Sequence, residues 1–222
     1  MKELKFSHIT KTAGTSIEDA AFACGIKWGC HHLRGETYWH DPISTFPSKL
    51  RESYDWFTVV RNPYDRILSE YHCPWVKIYD PSHTAADFNR IIRHHILQRI
   101  TYSTNRFRRG HFLEQWRYLD PSVTVHVLKK ESLKPEFAAL MEQYGLPVIL
   151  NVTSNQGQPK KFGIHDFTMD TIRLINEVYA KDFELFGYSK LPTGTPTPTR
   201  TPVKPRIRIN LDNLGSMITR RS

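Results

Sequence analysis

The sequence predicts an α/β fold: a central parallel sheet flanked by helices, in a single domain within a chain of 222 residues. Two observations carry this expectation. Short β-branched and aromatic runs alternate with longer segments whose apolar residues recur every three or four positions, which is how strands joined by helical crossovers read. Two of those strands also run straight into a polar turn and a helix start. Ligands of open α/β sheets collect at that end of the strands.

The elements follow in order. Residues 4–9 read as the first strand and 16–24 as its helix, with residues 26–30 fitting a short second strand. Asp55-Trp56-Phe57-Thr58-Val59-Val60 is a buried strand by composition. A helix then spans Pro63–Tyr71: Asn62 is a good N-cap, Pro63 suits the first helical position, and Asp65 complements the helix start. Residues 84–102 form a long helical pattern with Phe88, Ile91, Ile92, His95 and Ile96 on one side. Residues 111–118 suggest another helix and 123–128 another strand. Pro135 opens a helix that Gly145 and Pro147 stop after Tyr144. Residues 166–186 read as one long helix striped by Ile172, Ile175, Tyr179 and Phe183. Beyond Lys190 the character changes, with Pro192, Pro196, Pro198, Pro202 and Pro205 alternating with threonines and basic residues. The expected organisation is a folded body over 1–189 and an extended tail over 190–222.

The net charge is +9, and it is unevenly spread. The tail holds seven Lys and Arg against one acid, Asp212, so the body carries only +3. That suits an anionic small ligand and argues against a nucleic-acid binder. Cys24, Cys30 and Cys73 are an odd count with no CxxC pair, which disfavours a disulfide scaffold or zinc site and fits a reducing compartment. Cys24 falls on the apolar side of the first helix and reads as core. No apolar run approaches the ~20 residues of a membrane span, and the N-terminus has no leader pattern. The expectation is a soluble, cytoplasmic protein.

The chemistry concentrates in two places. Phe6-Ser7-His8-Ile9-Thr10-Lys11-Thr12-Ala13-Gly14-Thr15-Ser16 reads as strand, small-residue loop and helix start. Small side chains let backbone N–H groups converge on an anion, the helix adds its positive end, and Lys11 adds a full charge. The lysine precedes the glycine, so this is not the GxxxxGK[ST] loop of nucleotide triphosphatases. In the second place, Arg61 falls where a strand meets the helix Pro63–Tyr71, and Ser69 lies two turns along it. An arginine fork and a hydroxyl converging there suit a second phosphate.

These two segments resemble motifs of the sulfotransferases that use 3′-phosphoadenosine 5′-phosphosulfate (PAPS). Lys-Thr-Ala-Gly-Thr-Ser resembles their 5′-phosphosulfate loop, and VVRNPYDRILSEY resembles their 3′-phosphate motif. The likeness is closest to carbohydrate sulfotransferases such as the heparan sulfate 2-O- and 6-O-sulfotransferases, and covers most of residues 4–188. It implies a P-loop-NTPase-like sheet. It also implies donor contacts from Lys11, Thr12, Ala13, Gly14, Thr15, Ser16, Arg61 and Ser69. Sulfuryl would pass to an acceptor hydroxyl, most simply of a glycan, releasing the desulfated nucleotide (PAP), in a scheme that requires no metal. Animal members are usually Golgi proteins with an N-terminal anchor, so the Golgi lumen is the compartment if this chain has been trimmed of one.

Such a reaction needs Lys11 to meet developing charge and a general base on the acceptor. Trp28-Gly29-Cys30-His31-His32 loosely resembles the 6-O-sulfotransferase segment bearing a catalytic histidine. His32 and His31 are therefore candidates, with His40 as competitor and Asp41 as its orienting partner. Glu18 and Glu36 also remain open. Arg106, Arg108, Arg109 and His111, with Trp116 beyond, suggest a patch for an anionic glycan. Lys160 and Lys161 fall where the family's late loop closes over the nucleotide. The alternatives are a P-loop-type small-molecule kinase and a non-enzymatic basic glycan-binding module.

Overall fold

The computed structural model describes residues 2–28, 40–98, 110–150 and 160–194. Its centre is a three-stranded parallel sheet of β1 (Glu3–Ser7), β2 (Tyr54–Val60) and β3 (Val125–Lys129), in the order β1-β2-β3. The register pairs Phe6 with Phe57 and Val60 with Lys129. The α/β class and parallel sheet expected from the sequence are therefore observed. Seven α-helices accompany the sheet among the described residues: α1 (Gly14–Ala23), α2 (Ser48–Arg51), α3 (Pro63–Tyr71), α4 (Ala85–Gln98), α5 (Leu133–Tyr144), α6 (Met169–Val178) and α7 (Ala180–Phe186).

Alternation along the strands sorts the core. Leu4, Phe6, Phe57, Val59 and Leu128 pack under α1 and α5, against Ile17, Ala21, Phe137 and Leu140. The other face carries Trp56 with Ile43 and Val125, and Val60 with Tyr118 and Phe186. α3, α4, α6 and α7 share a further apolar cluster built around Tyr71, Phe88, Ile92, Ile175 and Phe183. Asn62 caps α3, its side chain accepting from the Tyr64 N–H at 3.0 Å. Gly145, with φ 62°, ends α5 in the left-handed conformation that glycine adopts without steric cost.

Four expectations are corrected. Residues 26–28 are not a strand. Trp28 is buried there, and its indole N–H donates to the Leu4 carbonyl at 2.9 Å, occupying the β1 edge with a side chain. The expected helix over 111–118 is a turn followed by a 3₁₀ segment, Gln115–Tyr118. Tertiary partners take its backbone groups: Tyr179 OH donates to the Phe112 carbonyl at 2.6 Å, and Asp182 accepts from the N–H groups of Gln115 and Trp116, each at 2.9 Å. The single helix over 166–186 divides at Tyr179 into α6 and α7. Cys24 is the exposed C-terminal cap of α1 rather than core.

Candidate active site

All three strands deliver functional side chains at their carboxyl ends. After β1 the chain turns through His8–Ala13 into α1. Lys11 (φ 64°) and Ala13 (φ 78°) both adopt left-handed backbone conformations. For non-glycine residues this costs roughly 1–2 kcal/mol each. The surrounding structure imposes it through the loop carbonyls. Thr12 Oγ1 donates to Ile9 O at 2.8 Å, Arg66 Nε to Thr10 O at 3.0 Å, Arg61 Nη1 to Lys11 O at 3.3 Å and Ile17 N to Ala13 O at 3.3 Å. With the carbonyls held from within, the N–H groups of residues 11–16 have no acceptor among the described residues. The Thr12 hydroxyl is spent on the loop itself; those of Thr15 and Ser16 make no hydrogen bond among the described residues.

His8 sits beneath the loop. Its Nδ1 meets Glu18 Oε1 at 2.8 Å, and both side chains are buried. A Cβ on residue 14 would lie 2.0 Å from His8 Nε2, so only glycine fits above this ring.

Behind the loop lies a buried ionic network. Arg66, 1% exposed, donates to Thr10 O, to Thr10 Oγ1 at 2.9 Å, to Gly110 O at 3.0 Å and to Leu113 O at 2.6 Å. Glu70 lies 3.5 Å from it, accepts from Thr10 Oγ1 and bonds His111 Nδ1 at 2.5 Å. Burial alone would raise the Glu70 carboxyl, but His111, Arg66 and Thr10 hold it down at about 2. Glu70, Cys73 and His111 place ligand-type atoms within 4.8 Å of one another, a grouping that the sequence, with Cys73 and His111 38 positions apart, does not reveal. The carboxylate oxygens there are already engaged by Thr10, Arg66 and His111. His111 thus belongs to this interior network and not to a surface patch.

Arg61 follows β2 and is clamped by Gln115, whose side chain accepts from the Arg61 N–H at 2.9 Å and donates to its carbonyl at 2.8 Å. The guanidinium reaches Lys11 O, which joins the two motifs. Ser69 lies part-exposed on α3, its hydroxyl without a hydrogen bond among the described residues. After β3 comes Lys130. Arg61, Lys11, Lys130 and Lys160 make no ion pair with any described residue. Burial lowers the Lys160 ammonium, and Arg61, Lys11 and Lys130 lower it further. Burial, then Arg61, lowers Lys130 in the same way. Asp65 and Glu131 oppose this on Arg61 and Lys130, and Asp65 on Lys160, so the group carries an excess of positive charge that is only partly answered. Lys161 is not part of that group: its ammonium donates to Pro81 O and His83 O, each at 2.6 Å.

His40 is half-buried, and its Nδ1 lies 3.1 Å from the His8 carbonyl, not on Asp41. Desolvation and the neighbouring His8 push its ring well below the ordinary 6.5. Trp116 faces Lys181 and Arg117, whose cations lie 3.8 and 4.8 Å from its ring. His31, His32, Glu36, Arg106, Arg108 and Arg109 lie outside the described residues.

An open amide loop and a group of cations without ion pairs among the described residues lie together near the carboxyl ends of a parallel sheet, an arrangement chemically suited to an anion. Comparison with known families gives the class directly: the sulfotransferase family matches residues 2–189, and the chain belongs to it. It is accordingly a transferase of sulfuryl groups with the P-loop-like fold of that family, acting on a hydroxyl-bearing acceptor. A comparison with curated proteins finds no match. No helix among the described residues is long and apolar enough to cross a membrane.

Proposed function

We propose that the protein transfers the sulfuryl group of PAPS to a carbohydrate hydroxyl, releasing PAP. One observation carries this reading: among the described residues the N–H groups of residues 11–16 have no acceptor and lie beside four cations that form no ion pair, Asp65 and Glu131 answering their charge only in part. An unpaired, partly buried cation cluster is costly for a protein unless an anion compensates it. PAPS brings a 5′-phosphosulfate and a 3′-phosphate, and the residues present fit both groups. Lys11 and the amides of residues 12–16 hold the phosphosulfate; Arg61 and Ser69 hold the 3′-phosphate.

When bound, PAPS supplies an activated sulfuryl group on a phosphate leaving group. The chain supplies position and charge. Lys11 and the loop amides are fixed before the reaction, so they stabilise negative charge without reorganising as it develops. Arg66 and Glu70 keep the loop in its left-handed form. A histidine takes the proton of the acceptor hydroxyl. A base works best with a pKa near the working pH, and the lowered His40 ring is poorly suited, which favours His32 with His31 as its neighbour. The body over 1–189 carries this chemistry, and the basic tail over 190–222 assists an anionic acceptor.

Calorimetry and an acceptor screen test the reading. PAP should bind without magnesium, and radiolabelled PAPS should pass label to a glycan in preference to tyrosine peptides or small alcohols. Preference for ATP with magnesium would instead mark a kinase, and glycan binding with no nucleotide binding would mark a non-enzymatic module.

A further inference from the structure

We propose that Lys130, at the carboxyl end of β3, reads the donor's 3′-phosphate together with Arg61 and so sets selectivity for a 3′-phosphorylated nucleotide. The inference rests on the sulfuryl-transfer reading above and adds to it a residue that the two sequence motifs do not contain.

The sheet places this side chain. Val60 pairs with Lys129, so the next residues, Arg61 and Lys130, leave adjacent strands side by side. The strand order β1-β2-β3 sets Lys130 on the far side of Arg61 from the Lys11 loop. Neighbouring strands lie ~4.8 Å apart, so Lys130 stands about two strand spacings from the end of β1. It is therefore beside the 3′-phosphate subsite and away from the 5′ one.

The neighbouring residues keep Lys130 there and answer its charge only in part: burial and Arg61 lower its ammonium more than Glu131 and Asp65 raise it. Glu131 would be the obvious counter-ion, but its two oxygens are committed elsewhere. Oε1 accepts from Asn62 N at 2.9 Å, tying the end of β3 to the β2–α3 turn, and Oε2 accepts from Tyr188 OH at 2.8 Å. Lys129 turns to the Tyr188 ring, 4.9 Å from its ammonium. Of the two adjacent lysines, Lys130 is the one left partly buried with no hydrogen bond or ion pair among the described residues. Its charge is thus available to a dianionic phosphate that Arg61 alone would compensate by half.

The test compares PAP with 5′-AMP, which lacks the 3′-phosphate, by calorimetry on wild type, Lys130→Met and Lys130→Arg. A hydrogen bond to a charged group is worth enough that its loss weakens binding roughly 10- to 100-fold. Lys130→Met should therefore lose at least about tenfold in PAP affinity while 5′-AMP changes less than about twofold, and Lys130→Arg should retain most of the preference. An unchanged melting temperature confirms that the variant is folded. Equal weakening of both nucleotides, or of neither, overturns the assignment and leaves the sulfuryl-transfer reading intact. If wild type itself shows no preference for PAP over 5′-AMP, that reading falls, and this inference with it.

Discussion

Replacing Gly14 by alanine tests how the anion loop is held. A Cβ at that position would lie 2.0 Å from His8 Nε2 and 2.1 Å from its Cδ2. Non-bonded carbons settle at about 3.5–4.0 Å, so the ring must retreat by roughly 1.5 Å. It has little freedom to do so. Its Nδ1 is bound to Glu18, its face lies 5.5 Å from Phe6 and its edge meets His40 at 4.5 Å between ring centres. Overpacking costs about 1–3 kcal/mol, and giving up a hydrogen bond to a charged partner costs about 1.5–3 kcal/mol. The sum, about 2.5–6 kcal/mol, corresponds to a melting point lower by at least ~5 °C for a chain of this size. Helix propensity alone predicts the opposite, a gain of up to ~1 kcal/mol for alanine over glycine. Urea unfolding of Gly14→Ala, His8→Ala and the double variant separates the two. The double variant should be little worse than His8→Ala, because the clash is gone. A Gly14→Ala cost below ~1 kcal/mol, or the same cost in both backgrounds, would refute the wedge.

The other predictions concern charge. Lys11→Ala should lower turnover at saturating donor by more than it raises the donor dissociation constant, since its charge matters most as the leaving group becomes negative; unchanged turnover in a steady-state assay would remove it from that role. Arg61→Ala should weaken PAP about 10- to 100-fold and 5′-AMP far less, with Ser69→Ala acting in the same direction but more weakly, both read by calorimetry. Glu70 sits at about 2 in the fold against an ordinary 4.5, so its stabilisation is complete above 4.5 and is lost as pH falls towards 2. Between pH 6 and pH 3 wild type should lose about 2 kcal/mol more than Glu70→Gln in urea melts, from ~1.4 kcal/mol per pKa unit. A chain ending at Leu191 should fold and bind PAP, because the Leu191 N–H and carbonyl still meet Tyr64 OH and Asn176, at 2.8 and 2.9 Å; unfolding in circular dichroism would show that the tail supports the body.

Local chemistry explains what the sequence revealed. The loop of Thr10–Ser16 and the strand–turn–helix around Arg61 are each contiguous, and their small residues, N-cap and proline mark the backbone directly. The same logic located β2, α3 and the Gly145 stop. What stayed hidden depends on residues far apart in the chain. Arg66 looks like one more charge on an amphipathic helix until Gly110 and Leu113 fold over it. Gln115, which clamps Arg61 across 54 positions, carries no sequence signal at all. His8 reads as part of the strand, and only the closeness of Gly14 gives its ring a purpose. The split at Tyr179 was invisible because the apolar stripe continues through it. Its cause is tertiary: the Tyr179 hydroxyl is held by Phe112, and Asp182 by the amides of residues 115 and 116.

Charge is handled in two ways at this one sheet edge, and the contrast explains the division of labour. Arg66 is buried with four acceptors and Glu70 around it, so its charge is fully answered from within. Removing any member leaves an unanswered charge in a dry interior, which makes the network a rigid strut. That strut fixes Thr10, and through Thr10 the left-handed turn that opens the loop amides outward. Arg61, Lys11, Lys130 and Lys160 form no ion pair among the described residues, and Asp65 and Glu131 answer their charge only in part. Burial first, and then the repulsion of neighbouring cations, lowers Lys130 and Lys160, so holding these charges together costs the protein free energy. An anion bound as proposed above would relieve that repulsion as well as make its own contacts. The strut pins the loop from behind and Gln115 clamps the Arg61 backbone, so the two motifs keep their places at the sheet edge despite the excess of positive charge.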